Sequence, residues 1–498
     1  MVWRESPSHH VNTRGLSAMS TAIQRDKSSF LYQQVVEMVM EMRSSGTLRA
    51  GDRLPSLRSF SQGLKVSIPT VRQAYVELER QGMVEARPKS GYFLKAQNID
   101  VQGPKKATPP RRPRVVNKQS LIEEVFTAIH APGSVALGLA NPTAAHSSDK
   151  ALARVMRRVL ANAGNKAIAY GPMEGFPPLR RQLALSHIDQ GLQIDPSEVL
   201  ITNGAQEAIA IALKCVAKAG DIIAVESPTY FGVLELIESL GMMALEIPLC
   251  PDHGVGLADL EAALKKHPVK ACVFSSSISN PLGSYMNDER REALVHLLES
   301  KDIPLIEDDV YGELHFQKTR SVLAQRFSTK GLVLTCSSFS KTAAPGYRIG
   351  WLLAGRFHDQ AKRVKRALSC SSSLLNQWTL SEFMASGEYE RNIRVLRQVL
   401  ERYKQRAIAL VTEYFPTETR MSNPQGGGVL WVELPSKNHG NDLFHRALDH
   451  NISIAPGTLF SPSDKFKHCI RVSYGVQWSD KIEESYRILG ELVKEGSS

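Results

Sequence analysis

The sequence predicts a small helical head ending in a β-hairpin, followed by a large α/β body built around a mostly parallel sheet. Three observations carry this. At 498 residues the chain exceeds one ordinary core and has room for two or three domains. Its formal charge of +11 is unevenly placed: residues 1–118 hold 20 Lys and Arg against 9 Asp and Glu, while residues 119–498 hold 41 of each sign. From residue 198 onward, short β-rich runs that are apolar on both faces alternate with helical stretches, the pattern of a sheet covered on both sides.

With 42% hydrophobic and 22% charged residues, the composition is that of a globular protein. The six cysteines are scattered without a CxxC pair, which argues against a zinc site or a disulfide framework and fits a reducing cytoplasm. No metal site is expected. No apolar run reaches the roughly 20 residues a membrane helix needs. The opening segment lacks an apolar h-region, so residues 1–24 read as a disordered extension rather than a signal peptide, with Met19 an alternative start.

The head spans 25–96. Leu31, Val35, Met38, Val39 and Met42 form one helical stripe. Pro55 and Ser56 start a second helix whose inner face is Leu57, Phe60 and Leu64. A third helix takes Ser67 as N-cap, tolerates Pro69 in its first turn, buries Val71, Ala74, Tyr75 and Leu78, and ends at Gly82. Thr70, Arg72 and Gln73 then point outward near its N-terminus, where a recognition helix presents base-reading groups. MVEARPKSGYFL reads as strand, basic turn, strand: a wing offering Arg87 and Lys89 to phosphates. A basic head on a neutral body suits a polyanionic partner for the head alone. Residues 97–118, with four prolines and no apolar repeat, read as a linker, partly polyproline-II in character.

The body, 119–498, carries the chemistry. SSFSKTAAPGYRIGW sets Lys341 after an apolar strand, among Ser338, Ser340 and Arg348, with Trp351 behind; an ordinary surface lysine keeps no such company. LIEDDVYGE ends a strand at Asp308 and places Tyr311 three residues on, at the end of an α/β strand where ligands bind. SISNPLG puts Asn280 in a turn. TNGAQEA sets Gly204, Ala205 and Gln206 at a strand-to-helix junction whose amides suit a phosphate. ESPTYFG offers Tyr230 as a stacking ring. HCIRVSYG buries Arg471 in an apolar strand, where its guanidinium needs an anion, either an internal carboxylate or a ligand.

Two resemblances follow from these motifs. Residues 30–94 resemble the GntR-type winged helix-turn-helix, through Leu31, Tyr32, Gln34, Gly51, Asp52, Leu54, Pro55, Ser56, Arg58, Thr70, Ala74, Tyr75, Leu78, Ser90 and Gly91. Ile68 stands where that family often has arginine. The resemblance implies DNA contacts from Arg58, Ser67, Thr70, Arg72, Arg87 and Lys89. Residues of about 125–490 resemble the fold-type I aminotransferases, which implies a small C-terminal α+β subdomain and pyridoxal 5′-phosphate (PLP) as cofactor. It further implies that Lys341 forms the Schiff base and that Asp308 pairs with the pyridinium. Asn280 and Tyr311 would meet the phenolic oxygen, and Tyr230 would stack. Gly204, Ala205, Gln206, Ser338, Ser340 and Arg348 would hold the phosphate. Arg471, with Asn141, would take a ligand carboxylate, and Tyr170 would reach a neighbouring subunit's phosphate in a homodimer.

Both resemblances in this order are those of the MocR subfamily of GntR regulators. They imply a PLP-dependent transcription regulator that binds double-stranded operator DNA and takes an amino acid, an amine or PLP as effector. A working transaminase of the 2-aminoadipate or kynurenine type, with an accessory head, is the competing expectation.

Overall fold

The computed structural model describes residues 30–44, 48, 52–87, 91–95, 102–108, 112–116, 119–142, 147–463 and 465–497. The expected extension at 1–24, together with Gly51, Lys89 and Ser90, lies outside them. The chain divides into two compact units, Met1–Asp100 and Val101–Ser498.

The head's helices are α1 (Leu31–Ser44), α2 (Leu57–Leu64) and α3 (Ile68–Arg80). The stripe expected on α1 is buried from Val35 to Met42, but Leu31, the first residue of the helix, is exposed. Ser56 and Ser67 cap α2 and α3, each accepting the amide three residues on. Gly82, at φ +71°, closes α3 as its amide donates to Glu79. Tyr75 locks the head: its hydroxyl donates to Pro55 O at 2.9 Å and its ring meets Tyr92 edge-on at 5.1 Å. Tyr92 lies in the wing, where β1 (Val84–Arg87) pairs antiparallel with β2 (Gly91–Leu94).

In the body, an eight-stranded sheet comprises β3 (Val199–Thr202), β4 (Ile222–Ser227), β5 (Met243–Cys250), β6 (Gly254–Val255), β7 (Val269–Phe274), β8 (Leu305–Asp308), β9 (Val333–Ser338) and β10 (Gly350–Leu353). Their spatial order is β3-β10-β9-β8-β7-β4-β5-β6. The run β9-β8-β7-β4-β5 is parallel, while β10 and β6 run against their neighbours. Alternate residues feed different cores. Ile223 and Val225 join a cluster with Ile209 of helix α5 (Ala205–Val216), and Ala224 joins the opposite one. A second sheet, in the order β11 (Arg420–Met421), β12 (Val429–Glu433), β14 (Cys469–Ser473), β13 (Ala455–Pro456), forms the C-terminal subdomain. Helix α4 (Gln119–His130) packs into the same core as that sheet. Among the described residues no helix is long and apolar enough to cross a membrane, and no cluster of His, Cys, Asp and Glu could hold a metal ion.

The segment expected as a bare linker needs correction. Arg114 exchanges two 2.9 Å backbone hydrogen bonds with Ala244 at the edge of β5, and Val116 is buried in the body's core. An open strand edge and an apolar floor recruit these residues in spite of their prolines, so the body begins upstream of 119.

Candidate active site

The ends of the parallel strands converge on a cavity of about 220 Å³. Ala205, Gln206, Tyr230, Asn280, Asp308, Tyr311, Ser338, Ser340, Lys341, Arg348 and Arg471 all line it. Strand ends β7, β8 and β9 are clamped together by Asp309. Its carboxylate accepts the Ser277 hydroxyl at 2.6 Å and pairs with Arg320, while its carbonyl accepts Ser337 Oγ at 3.1 Å. This clamp braces the strand end that carries Asp308 and the neighbouring loop that carries Lys341.

Lys341 Nζ stands 5.8 Å from the centre of the Tyr311 ring. Burial lowers its pKa to about 8; Arg471 and Arg348 push the same way, and Asp308 opposes. The amine is therefore a usable nucleophile close to neutral pH. Asp308 accepts Val310 N at 3.1 Å, and burial raises its pKa to about 6.

One wall forms an anion cup. Gly204, at φ +85°, starts α5, and a Cβ there would lie 2.6 Å from Arg348 Nη2. Glycine leaves room there for the guanidinium, which donates to Asn203 O at 3.3 Å just before the first turn of α5. The Gln206 side chain donates to Gly232 O at 2.8 Å, which ties this cup to the loop bearing Tyr230. Ser338 Oγ bonds Ser340 Oγ at 2.7 Å and Ile349 O at 3.2 Å, which holds both hydroxyls at the cavity edge.

The other wall holds Arg471, 2% exposed on β14. It donates to Asn280 Oδ1 at 3.0 Å and Gly138 O at 2.6 Å, and lies 4.9 Å from the Phe460 ring. Among the described residues no carboxylate pairs with it, and its Nε has no partner. Of the two anions the sequence allowed, the internal one is absent. Burial lowers its pKa to about 10, so it stays a cation. Asn141 Oδ1, buried beside Ala140, is likewise unpartnered.

The remaining expected residues stand in varied surroundings. Tyr311 spends its hydroxyl proton on Ala140 O at 2.5 Å, so a phenolate would have to displace that bond. Asn280 orients Arg471 through its amide oxygen, leaving its nitrogen to face a ligand. Tyr170, 90% exposed, lies outside the cavity of its own chain. In the head, the Ser67 and Thr70 hydroxyls bond each other at 2.7 Å. Arg87 pairs with Glu85 at 2.5 Å and covers the Phe93 ring, so it is less free for phosphates than expected. Arg58 and Arg72 are exposed.

Sequence reasoning gave no role to Glu226. Buried on β4, it accepts Ser275 N at 2.9 Å, and burial raises its pKa to about 8. Protonated at neutral pH, it adds no second negative charge beside Asp308. A lone acid near the end of the apolar run DIIAVES was its one signal.

Residues 135–483 match the family of class I and II aminotransferases, and residues 31–94 match the bacterial regulatory proteins of the gntR family. The HTH-type transcriptional regulator YjiR of Escherichia coli K12 is 34% identical over 93% of this chain and 98% of its own length. The chain belongs to the MocR subfamily of GntR regulators. This MocR chain is also 30% identical to the 2-aminoadipate transaminase of Thermus thermophilus, over 75% of its own length and 94% of the relative's. The crystal structure of LysN, the α-aminoadipate aminotransferase of that organism complexed with N-(5′-phosphopyridoxyl)-L-leucine, superposes with TM-score 0.68 at 26% identity. It covers 76% of this chain and 99% of LysN.

PLP is the cofactor of the MocR body. The residues present fit it: a depressed lysine amine, a carboxylate in the cavity, a glycine-dependent anion cup and two unpartnered buried polar atoms. When bound, it supplies an aldehyde that captures amines and a ring that withdraws electrons. One pH dependence follows. Only the neutral amine attacks, so cofactor capture by the apo-protein is expected to speed up as pH rises to about 8 and then level off. Stopped-flow absorbance across pH 6–11 checks this; a rise continuing past pH 10 would show an ordinary lysine instead.

Proposed function

We propose that this protein is a PLP-dependent transcription regulator. On this reading the head binds double-stranded operator DNA, and the ligand state of the Lys341 cavity sets how tightly. The observation that carries it is Arg471: a buried cation with no carboxylate partner among the described residues, facing the cofactor cavity of a chain that also bears a gntR head. Such a site selects a ligand with its own carboxylate, and the effector is accordingly an amino acid; PLP itself or an amine acts more weakly. The active form is a cytoplasmic homodimer. Ile168 and Tyr170, 86% and 90% exposed, form the face that a second copy covers, with Tyr170 entering its partner's phosphate cup.

Operator selected from random duplex DNA, titrated with and without PLP and each amino acid, tests this reading. A ligand that shifts affinity about tenfold supports it, which corresponds to a coupling of about 1.4 kcal/mol. Arg72→Ala is expected to weaken operator binding about tenfold or more and to flatten its salt dependence, measured by fluorescence anisotropy between 50 and 200 mM salt. A second reading, a working transaminase, is favoured by the full residue set in the cavity and by the Thermus thermophilus relative. Steady amino-group transfer to 2-oxoglutarate, without any ligand effect on operator binding, would select it.

A further inference from the structure

Residues 102–108 and 112–116 touch both sheets of the body. At one end, Gln102 O accepts Met421 N of β11 at 3.2 Å, and Lys105 N donates to Glu433 of β12 at 2.9 Å. At the other, Arg114 pairs through its backbone with Ala244 of β5. Between them, Lys106 pairs with Asp259 at 2.7 Å, on helix α6 (Leu257–Lys266) beside β5. The first pair of anchors belongs to the sheet that carries Arg471: in the β12–β14 register Trp431 faces Arg471, and Glu433 lies two residues along. The other anchors lie on β5 and on α6 beside it, in the layer whose strands lead to Tyr230, Asp308 and Lys341. The segment therefore touches both of the layers whose residues line the cavity.

A buried polar hub joins this segment to the ligand wall. Glu246 on β5, 6% exposed, accepts hydroxyls from Ser227 at 2.7 Å, Ser461 at 2.8 Å and Ser463 at 3.0 Å, and pairs with Lys465 at 3.0 Å. Ser461 follows Phe460, whose ring packs on Arg471 and whose carbonyl accepts Thr229 N beside Tyr230. Lys465 also donates to Thr108 O at 3.4 Å. A continuous chain of contacts therefore joins Arg471, through Phe460, Ser461, Ser463 and Glu246, to Lys465 and Thr108.

We propose that residues 102–108 and 112–116 form a strap that registers carboxylate binding at Arg471, with the Glu246–Lys465 hub as the link. The inference rests on the reading that a carboxylate ligand meets Arg471. A ligand carboxylate draws the Arg471 sheet toward the cofactor sheet, and the strap, anchored to both, is pulled taut. Chain continuity then delivers the change to residue 101, where the body begins. Coupling arises because the ligand binds the taut arrangement better than the slack one.

Amide hydrogen exchange tests the strap without DNA. Apo-protein is loaded with N-(5′-phosphopyridoxyl)-L-leucine or with its decarboxylated analogue N-(5′-phosphopyridoxyl)-3-methylbutylamine. With the carboxylate present, exchange at Lys105, Arg114 and Met421 is expected to slow about tenfold relative to the analogue. Lys465→Met and Lys106→Met are expected to shrink that difference to less than about twofold while leaving both adducts bound with unchanged absorbance. Equal exchange with the two adducts, or a full difference surviving both substitutions, overturns the strap. If exchange responds but operator affinity does not, the regulator reading fails and the strap stands.

Discussion

Lys341→Ala is expected to abolish the visible absorbance of the purified protein and all ligand effects on operator binding. The substitution removes the single amine that faces Asp308 and the Arg348 cup in this cavity, so no nearby group can replace it. The fold should persist. Lys341 lies on a loop after β9, and the strand ends around it are held by Ser277, Ser337 and Asp309 rather than by the lysine. Loss of a buried cation leaves Asp308 without one favourable neighbour, which raises its proton affinity further but breaks no hydrogen bond. Visible absorbance, far-UV circular dichroism and operator titration separate these outcomes. A protein that keeps its visible band would show that another amine holds the cofactor.

Arg471→Met is the second large effect, and it should spare the cofactor. The guanidinium is the carboxylate receptor proposed for the ligand, and two of its donors already lean on Asn280 and Gly138 O. Removing it is expected to weaken an amino-acid effector about 100-fold, or about 2.7 kcal/mol, while an amine without a carboxylate loses little. The thermal midpoint of the ligand-free protein should stay within about 5 °C of wild type. The reason is electrostatic. With no carboxylate among the described residues to pair it, the charge carries a desolvation penalty whose relief offsets the two lost hydrogen bonds. Spectral titration gives the affinities and a melting curve gives the midpoint. Equal loss for amine and amino acid would mean that Arg471 shapes the cavity rather than reading a carboxylate.

Much of the architecture was legible because it rests on local rules. The caps at Ser56 and Ser67, the buried stripe of α3 and the stop at Gly82 each depend on neighbours within four residues. Strands β3, β4, β7, β8 and β9 announced themselves as apolar runs, since a sheet covered on both faces leaves no polar side to disguise them. The antiparallel β10, only four residues long and following a loop of special residues, gave no such signal. The linker misled for a related reason: composition reports what a segment does alone, and its pairing with Ala244 is set by a strand edge more than 100 residues away.

By itself the sequence determined which kinds of chemistry the chain can hold: a basic helical head, a lysine among serines and an arginine after it, a carboxylate ending a strand, an arginine inside another. Only the tertiary structure decided how they are used. It showed Arg471 without an internal anion, Tyr311 bonded to Ala140, Glu226 poised as a neutral acid, and Arg87 held by Glu85. Residue types and their short-range order are written along the chain. Burial, charge pairing and proton affinity depend on groups brought together from distant positions, and they exist only once the sheets have closed around them.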